Sequence, residues 1–315
     1  MKNKEPLILA VVVVFSLVVY YLVEPFAHHQ MHKHVESEAF AYNDLPAITK
    51  VGHKEHGKVL LIGAAACTGC HSINVENIPA SMDAVSAAGA YGVNPPDLSN
   101  AGIVYDAKFL TDLIKNPAHA LLVEHKFDAN KGQMHPMIPF YGAGGDIDQE
   151  VADIVAYLQS IAVTQEELTP ALAYENACGR CHANSYAKWT QIGPKTMLKR
   201  KQDELTFDAK VLDYQDSLAK YMGTLPPDLS IYIRSRGEHY IKTFMENPQA
   251  YLKGTAMPRV GVSAESAEKV IEYLEDSGDA KRHERESVAK NVMIYIVIFA
   301  IFALLWKKQV WRDLH

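Results

Sequence analysis

Two five-residue stretches decide how this 315-residue chain is read: Cys67-Thr68-Gly69-Cys70-His71 and Cys178-Gly179-Arg180-Cys181-His182. Together they use all four cysteines, so none remains for a structural disulfide. Two cysteines three positions apart lie on one helical turn, and each can form a thioether to a vinyl group of one haem. The next residue then points its imidazole at the iron. A thioredoxin-like redox pair needs no following histidine. A shared zinc site would have to join pairs that lie 111 positions apart, each trailed by its own histidine. The expectation is two covalently bound haem c groups on Cys67, Cys70, Cys178 and Cys181, with His71 and His182 as proximal ligands to iron.

The sixth ligand is open among ten methionines. Thioether sulfur is soft and favours Fe(II). Met137 stands in Met137-Ile138-Pro139-Phe140 and Met257 in Met257-Pro258, each shortly before a helical pattern. They are the expected ligands. Met134 and His135 compete in the first half, and Met222 and Met245 in the second.

The signs recur in one order. Pro95-Pro96-Asp97-Leu98-Ser99, Asn116-Pro117, Met137 and Tyr157-Leu158 follow the first motif. Pro226-Pro227-Asp228-Leu229-Ser230, Asn247-Pro248, Met257 and Tyr273-Leu274 follow the second. Two related modules with different loop lengths account for this. Each closes on an amphipathic helix: Val151, Ile154, Val155 and Leu158 fall at helical spacing, as do Val270, Ile271 and Leu274. Tyr157 and Tyr273 are expected to pack in the core or on haem. No long alternating strand pattern is present, and the Pro-Pro segments cannot be helix interiors. The fold class is therefore all-α, with domains at 40–163 and 164–285 and a linker over Gln165–Ala171.

Pro6 to Val23 is apolar over 18 residues, a rise of ~27 Å as a helix against a ~30 Å hydrocarbon core. No small-x-small cleavage pattern follows it, so residues 1–26 read as a retained anchor rather than a signal peptide. A second span is expected over 288–308. Lys2 and Lys4 flank the first span, and Lys307, Lys308 and Arg312 the second, which places both termini in the cytoplasm. The haem modules then lie on the periplasmic side of a bacterial inner membrane, where c-type haem is attached.

The net charge is −6. Without the charged residues at the two ends, 26 basic and 35 acidic residues remain, a balance that disfavours nucleic acid and suits a cationic partner. His28, His29, His32 and His34 cluster beyond the first span, with His53 and His56 further on. Their spacing does not make a clean metal site. Gly142-Ala143-Gly144-Gly145 follows no strand, so it reads as a loop before a helix and not as a phosphate cradle. No nucleophile–base pair stands out.

The C-x-x-C-H motif, a proline-bearing loop, Met-Pro and a closing helix resemble the cytochrome c fold, twice over. In the second half, Leu225-Pro226-Pro227-Asp228-Leu229-Ser230, Arg234-Ser235-Arg236 and Gly237-Glu238-His239-Tyr240-Ile241 are similar to cytochrome c1 between its haem motif and its axial methionine. The whole chain resembles the dihaem cytochrome c subunits of some bacterial quinol:cytochrome c reductases. It departs from mitochondrial-type cytochrome c1, which has one haem and no retained N-terminal span, and its first half lacks the Arg-x-Arg.

The resemblance implies pairing of Arg234 or Arg236 with a haem propionate, and backbone carbonyls of Pro96 and Pro227 near the proximal histidines. It also implies partners: cytochrome b and Rieske iron–sulfur subunits, a soluble cytochrome c or oxidase as acceptor, and a dimeric complex. Electrons are expected to pass from the second haem to the first. Two six-coordinate irons would leave this chain no catalytic site of its own. The alternatives are a dihaem subunit of a terminal oxidase, a free-standing tethered carrier, and a dihaem peroxidase or gas sensor with an open iron position.

Overall fold

The computed structural model describes residues 4–27, 42–127, 132–195 and 200–312. The histidine cluster at 28–34 lies outside them. The fold is all-α. Among the described residues the only strands are β1 (Trp189–Thr190) and β2 (Gly193–Pro194), a two-residue antiparallel pair.

Both ends are long helices. α1 (Glu5–Val18) continues through a π turn at Val19–Val23 and on to Ala27. The last helix, Arg282–Arg312, includes an apolar stretch within Glu284–Arg312. Mean hydropathies are 2.7 and 2.4, and neither apolar stretch is buried by protein, which is compatible with membrane anchoring. Lys307 Nζ lies 2.8 Å from Glu5 Oε2, so the start of the first span and the end of the last are side by side.

Between the spans, the helix preceding each Cys-x-x-Cys-His turn crosses the helix closing that half. In the first half α2 (Lys54–Ile62) crosses α5 (Ile147–Ile161), whose Val151, Ile154, Val155 and Leu158 are all buried. The crossing is close because Gly57 sits in it. A Cβ there would lie 1.9 Å from the Asp153 carbonyl oxygen, so only glycine fits. In the second half α6 (Pro170–Ala177) packs against α10 (Ala264–Gly278) with Val270, Ile271 and Leu274 buried. Tyr157 is core, and Tyr273 stacks on buried Tyr174 at 4.4 Å.

The remaining long elements are α3 (Ala84–Tyr91), α4 (Ala107–Lys115), α7 (Lys201–Met222), α8 (Tyr232–Arg236) and α9 (Glu238–Glu246). Helix starts follow capping chemistry. Asp83, Asp106, Asp146 and Ser263 side chains accept from first-turn N–H groups. Thr169 does so for α6, with Pro170 in the first turn. The linker expected over Gln165–Ala171 therefore ends at Thr169, because a Thr-Pro start launches a helix at once.

The repeat read from sequence is repeated in backbone detail. Gly92 and Gly223, both at φ +85°, end α3 and α7 just before the two Pro-Pro segments. Asn116 (φ −148°, ψ 79°) and Asn247 (φ −145°, ψ 80°) each cap a single-turn helix opened by proline. Asp97 accepts from the Ser99 N–H at 2.9 Å, and Asp228 from the Ser230 N–H at 2.8 Å.

The two halves share one core. Tyr42 Oη donates to the Val262 carbonyl at 2.6 Å, Asp106 N to Gly261 O at 2.9 Å, and Ser263 N to Val104 O at 2.9 Å. Gly261 (φ +74°) lies flat on the Phe109 ring, where a Cβ would come within 2.1 Å. A second apolar cluster joins α3 to α7 through Ala88, Tyr214, Leu218 and Met222, with Cys181 against it.

Candidate haem sites and the ground between them

Each Cys-x-x-Cys-His turn closes the same way. His71 N donates to Cys67 O at 2.9 Å, and His182 N to Cys178 O at 2.9 Å.

The histidines are set identically. His71 Nδ1 lies 2.8 Å from the Pro96 carbonyl oxygen, and His182 Nδ1 lies 2.8 Å from that of Pro227. A carbonyl only accepts, so Nδ1 carries the proton in both rings. Nε2 is left with its lone pair, the form that ligates a metal. Burial is the first cause that lowers both imidazole pKa values and favours the neutral ring. At His71 the charge of Arg180 adds to this. The loops carrying the prolines are pinned to the turns: Leu98 N donates to Ser72 O, and Leu229 N to Ala183 O, both at 2.9 Å. Two cysteines on a tight turn and a following histidine of fixed tautomer are a donor set that fits haem c.

The methionines separate by surroundings. Met134 is 62% exposed, whereas Met137 is half-buried beside His135. The His135 ring accepts from the Met137 N–H at 3.1 Å, meets the Tyr221 hydroxyl at 3.4 Å and abuts Phe127 edge-on. Met257 is half-buried on the loop before α10. Met222 and Met245 are buried core residues, 7% and 3% exposed. Arg234 and Arg236 are both exposed, and Arg236 lies over the Tyr240 ring at 5.4 Å.

The glycine loop is closed by Glu150, which accepts from Ala143 N at 2.6 Å and Gly145 N at 2.8 Å. His56 Nδ1 is 2.7 Å from the buried Asp153 carboxylate, which also takes the His53 N–H at 2.7 Å.

Sequence reasoning missed three residues that organise the sites. Arg259, 2% exposed, donates through Nε to Ala120 O at 2.7 Å and through Nη1 to Asp44. Its place two residues after Met257 was the only signal. Arg180 and Tyr214 join the two halves at Asn94. Arg180 stands in full view inside the second motif, whereas Tyr214 carries no local signature.

Residues 55–162 match the family Cytochrome c. The chain is 21% identical over 201 residues to cytochrome c1 of Allochromatium vinosum, a match that takes in 45% of this chain and 82% of that protein. A solved structure titled "Hyperthermophilic respiratory Complex III" aligns at a TM-score of 0.35 and 20% identity, over 50% of this chain and 79% of the other. By the family match, residues 55–162 read as a cytochrome c domain, which implies covalently bound haem c and supports a haem electron carrier.

Proposed function

We propose that this protein is a membrane-anchored dihaem electron carrier, the cytochrome c subunit of a quinol:cytochrome c reductase. The observation that carries the dihaem reading is the duplicated histidine geometry. Both imidazoles rest at 2.8 Å on a proline carbonyl through Nδ1, an arrangement that leaves each Nε2 as a ligand. When bound, haem c supplies a one-electron Fe(III)/Fe(II) couple. Cys67 and Cys70, then Cys178 and Cys181, anchor it covalently. His71 with Met137, and His182 with Met257, would supply the protein ligands to the iron. The burial of Met222 and Met245 and the exposure of Met134 support that choice.

The chain's residues exclude water and fix ligand orientation rather than perform bond chemistry, so enzyme activity belongs to the assembly. The similarity to a cytochrome c1 supports a place beside cytochrome b and a Rieske iron–sulfur subunit. The resemblance of residues 225–230, 234–236 and 237–241 to cytochrome c1 supports entry of electrons at the second half. They leave from the first half to a soluble cytochrome c or an oxidase. The two apolar helices support anchorage in a bacterial inner membrane, with both termini cytoplasmic and the haem halves in the periplasm. The adjacency of Glu5 and Lys307 fits termini on one side. A dimeric complex is the expected assembly.

Gentle purification on a tag, followed by a reduced-minus-oxidised spectrum, tests this. Stoichiometric haem b and an iron–sulfur protein travelling with haem c support the reductase assignment. Haem c alone favours a free-standing tethered carrier or an oxidase subunit.

A further inference from the structure

Arg180 belongs by sequence to the second motif, between Cys178 and Cys181. Its side chain belongs to the first half. Nη1 reaches the Asn94 carbonyl oxygen at 3.5 Å, and the charge of the guanidinium acts on Tyr105, whose hydroxyl donates to Asn176 O at 2.8 Å. Tyr214 fixes the same junction from below. Its hydroxyl accepts from Asn94 N at 3.2 Å and donates to Arg180 O at 2.7 Å. Asn94 lies two positions before Pro96, whose carbonyl orients His71.

The path from the second attachment turn to the first axial histidine is therefore short: Arg180, Asn94, Pro96, His71. The groups whose charges act most on the guanidinium are Tyr105, Cys181, Tyr214 and Tyr221, with no carboxylate among them. In turn it acts on both His71 and His135 of the first half. A permanent cation partly withdrawn from water keeps its field at the neighbouring site, and at His71 it outweighs the opposing charge of Asp97.

We propose that Arg180 is the electrostatic link between the two haem sites: held by the second attachment turn, it directs its positive charge into the first site and raises the reduction potential there. The proposal rests on the dihaem reading above. A positive charge disfavours the ferric state relative to the ferrous, so the first half becomes the better acceptor. Electrons entering at the second half are thereby drawn towards the first. Arg180 is a positioning and tuning residue, not a ligand.

The test is a spectroelectrochemical titration of the full chain in mild detergent, wild type against Arg180→Gln. The two transitions are assigned with Met257→Ala, which displaces that of the second site. Haem counts on wild type come first. One haem per chain would mean failure of the dihaem reading and not of the role of Arg180. With two haems present, Arg180→Gln is expected to lower the reduced-to-oxidised ratio of the first haem about tenfold at fixed ambient potential, about 59 mV for one electron. The second haem should move less, although the substitution lies in its own motif. If Arg180→Gln does not mature, Arg180→Lys keeps the charge on a differently shaped head, and a smaller fall at the first site is expected. An unchanged first site in Arg180→Gln, a fall in charge-conserving Arg180→Lys as large as the tenfold expected for loss of the charge, or a shift confined to the second site overturns the proposal.

Discussion

Arg259 grips Asp44 from 215 positions away, with Nη1 at 2.9 and 2.7 Å from the two carboxylate oxygens. Asp44 lies at the start of the first half and Arg259 follows Met257, so the pair ties the expected ligand loop of the second site to the first half. Two backbone bonds reinforce it: Arg259 N to Leu121 O at 2.9 Å, and Nε to Ala120 O at 2.7 Å. The guanidinium also lies over the Tyr42 ring, 5.6 Å from its centre. Arg259→Ala would leave the buried Ala120 carbonyl without this donor and open a void. A loss of about 2–3 kcal/mol is expected, measured by urea unfolding. Because the loop is shared, ligation by Met257 should weaken at lower denaturant than ligation by Met137. An Arg259→Ala chain in which both sites fail together at the wild-type midpoint would contradict this.

Met137 and Met257 stand half-buried on equivalent loops, while Met134 is exposed. Met137→Ala and Met257→Ala should each remove the sulfur-to-iron charge-transfer band of one haem and leave the other haem's band in place. Met134→Ala should change neither. Absorption spectra of the oxidised variants in the near infrared check all three. Carbon monoxide should bind strongly to neither site of the reduced wild-type chain, since two His/Met irons offer no open position. Strong binding would favour the peroxidase or sensor alternative.

Asp153 is held on one side of the crossing between α2 and α5. Burial raises its pKa, but hydrogen bonds from His56, the His53 N–H and Gln149 outweigh that, and the carboxyl sits below its ordinary value. The sign follows from linkage. A group depressed in the folded state stabilises fully above its unfolded pKa of ~3.9 and loses that contribution as pH falls through the folded value. Asp153→Asn should therefore cost about 1–2 kcal/mol at pH 7. The gap from wild type should close as pH falls below about 4. Denaturant titrations across that range measure it; a constant gap would contradict the assignment.

Much of the architecture was legible because it is local. The attachment turns, the Pro-Pro-Asp-Leu-Ser segments and the apolar periodicities of α5 and α10 each specify their own geometry within a few residues. The match between Asn116 and Asn247 in φ and ψ follows from the same Asn-Pro dipeptide twice. What escaped was tertiary. Nothing near Tyr214 announces that its hydroxyl serves Asn94, 120 positions earlier. Arg180 was visible only as a variable position inside a motif. Arg234 and Arg236, named from the resemblance to cytochrome c1, are exposed, and the burial of Arg259 had no counterpart in that reading. The shared core of the two halves could not be read either, since a repeat describes units and says nothing of how they dock.

The central claim is that both attachment turns carry haem, and intact-mass measurement of the purified chain under denaturing conditions tests it most directly. Covalent haem survives denaturation, so the account predicts a mass exceeding the 35.0 kDa polypeptide by two haems. That excess should fall to one haem in Cys67→Ala/Cys70→Ala and to one in Cys178→Ala/Cys181→Ala. A wild-type chain that carries a single haem, lost entirely in one of the two paired variants and retained in the other, would contradict it.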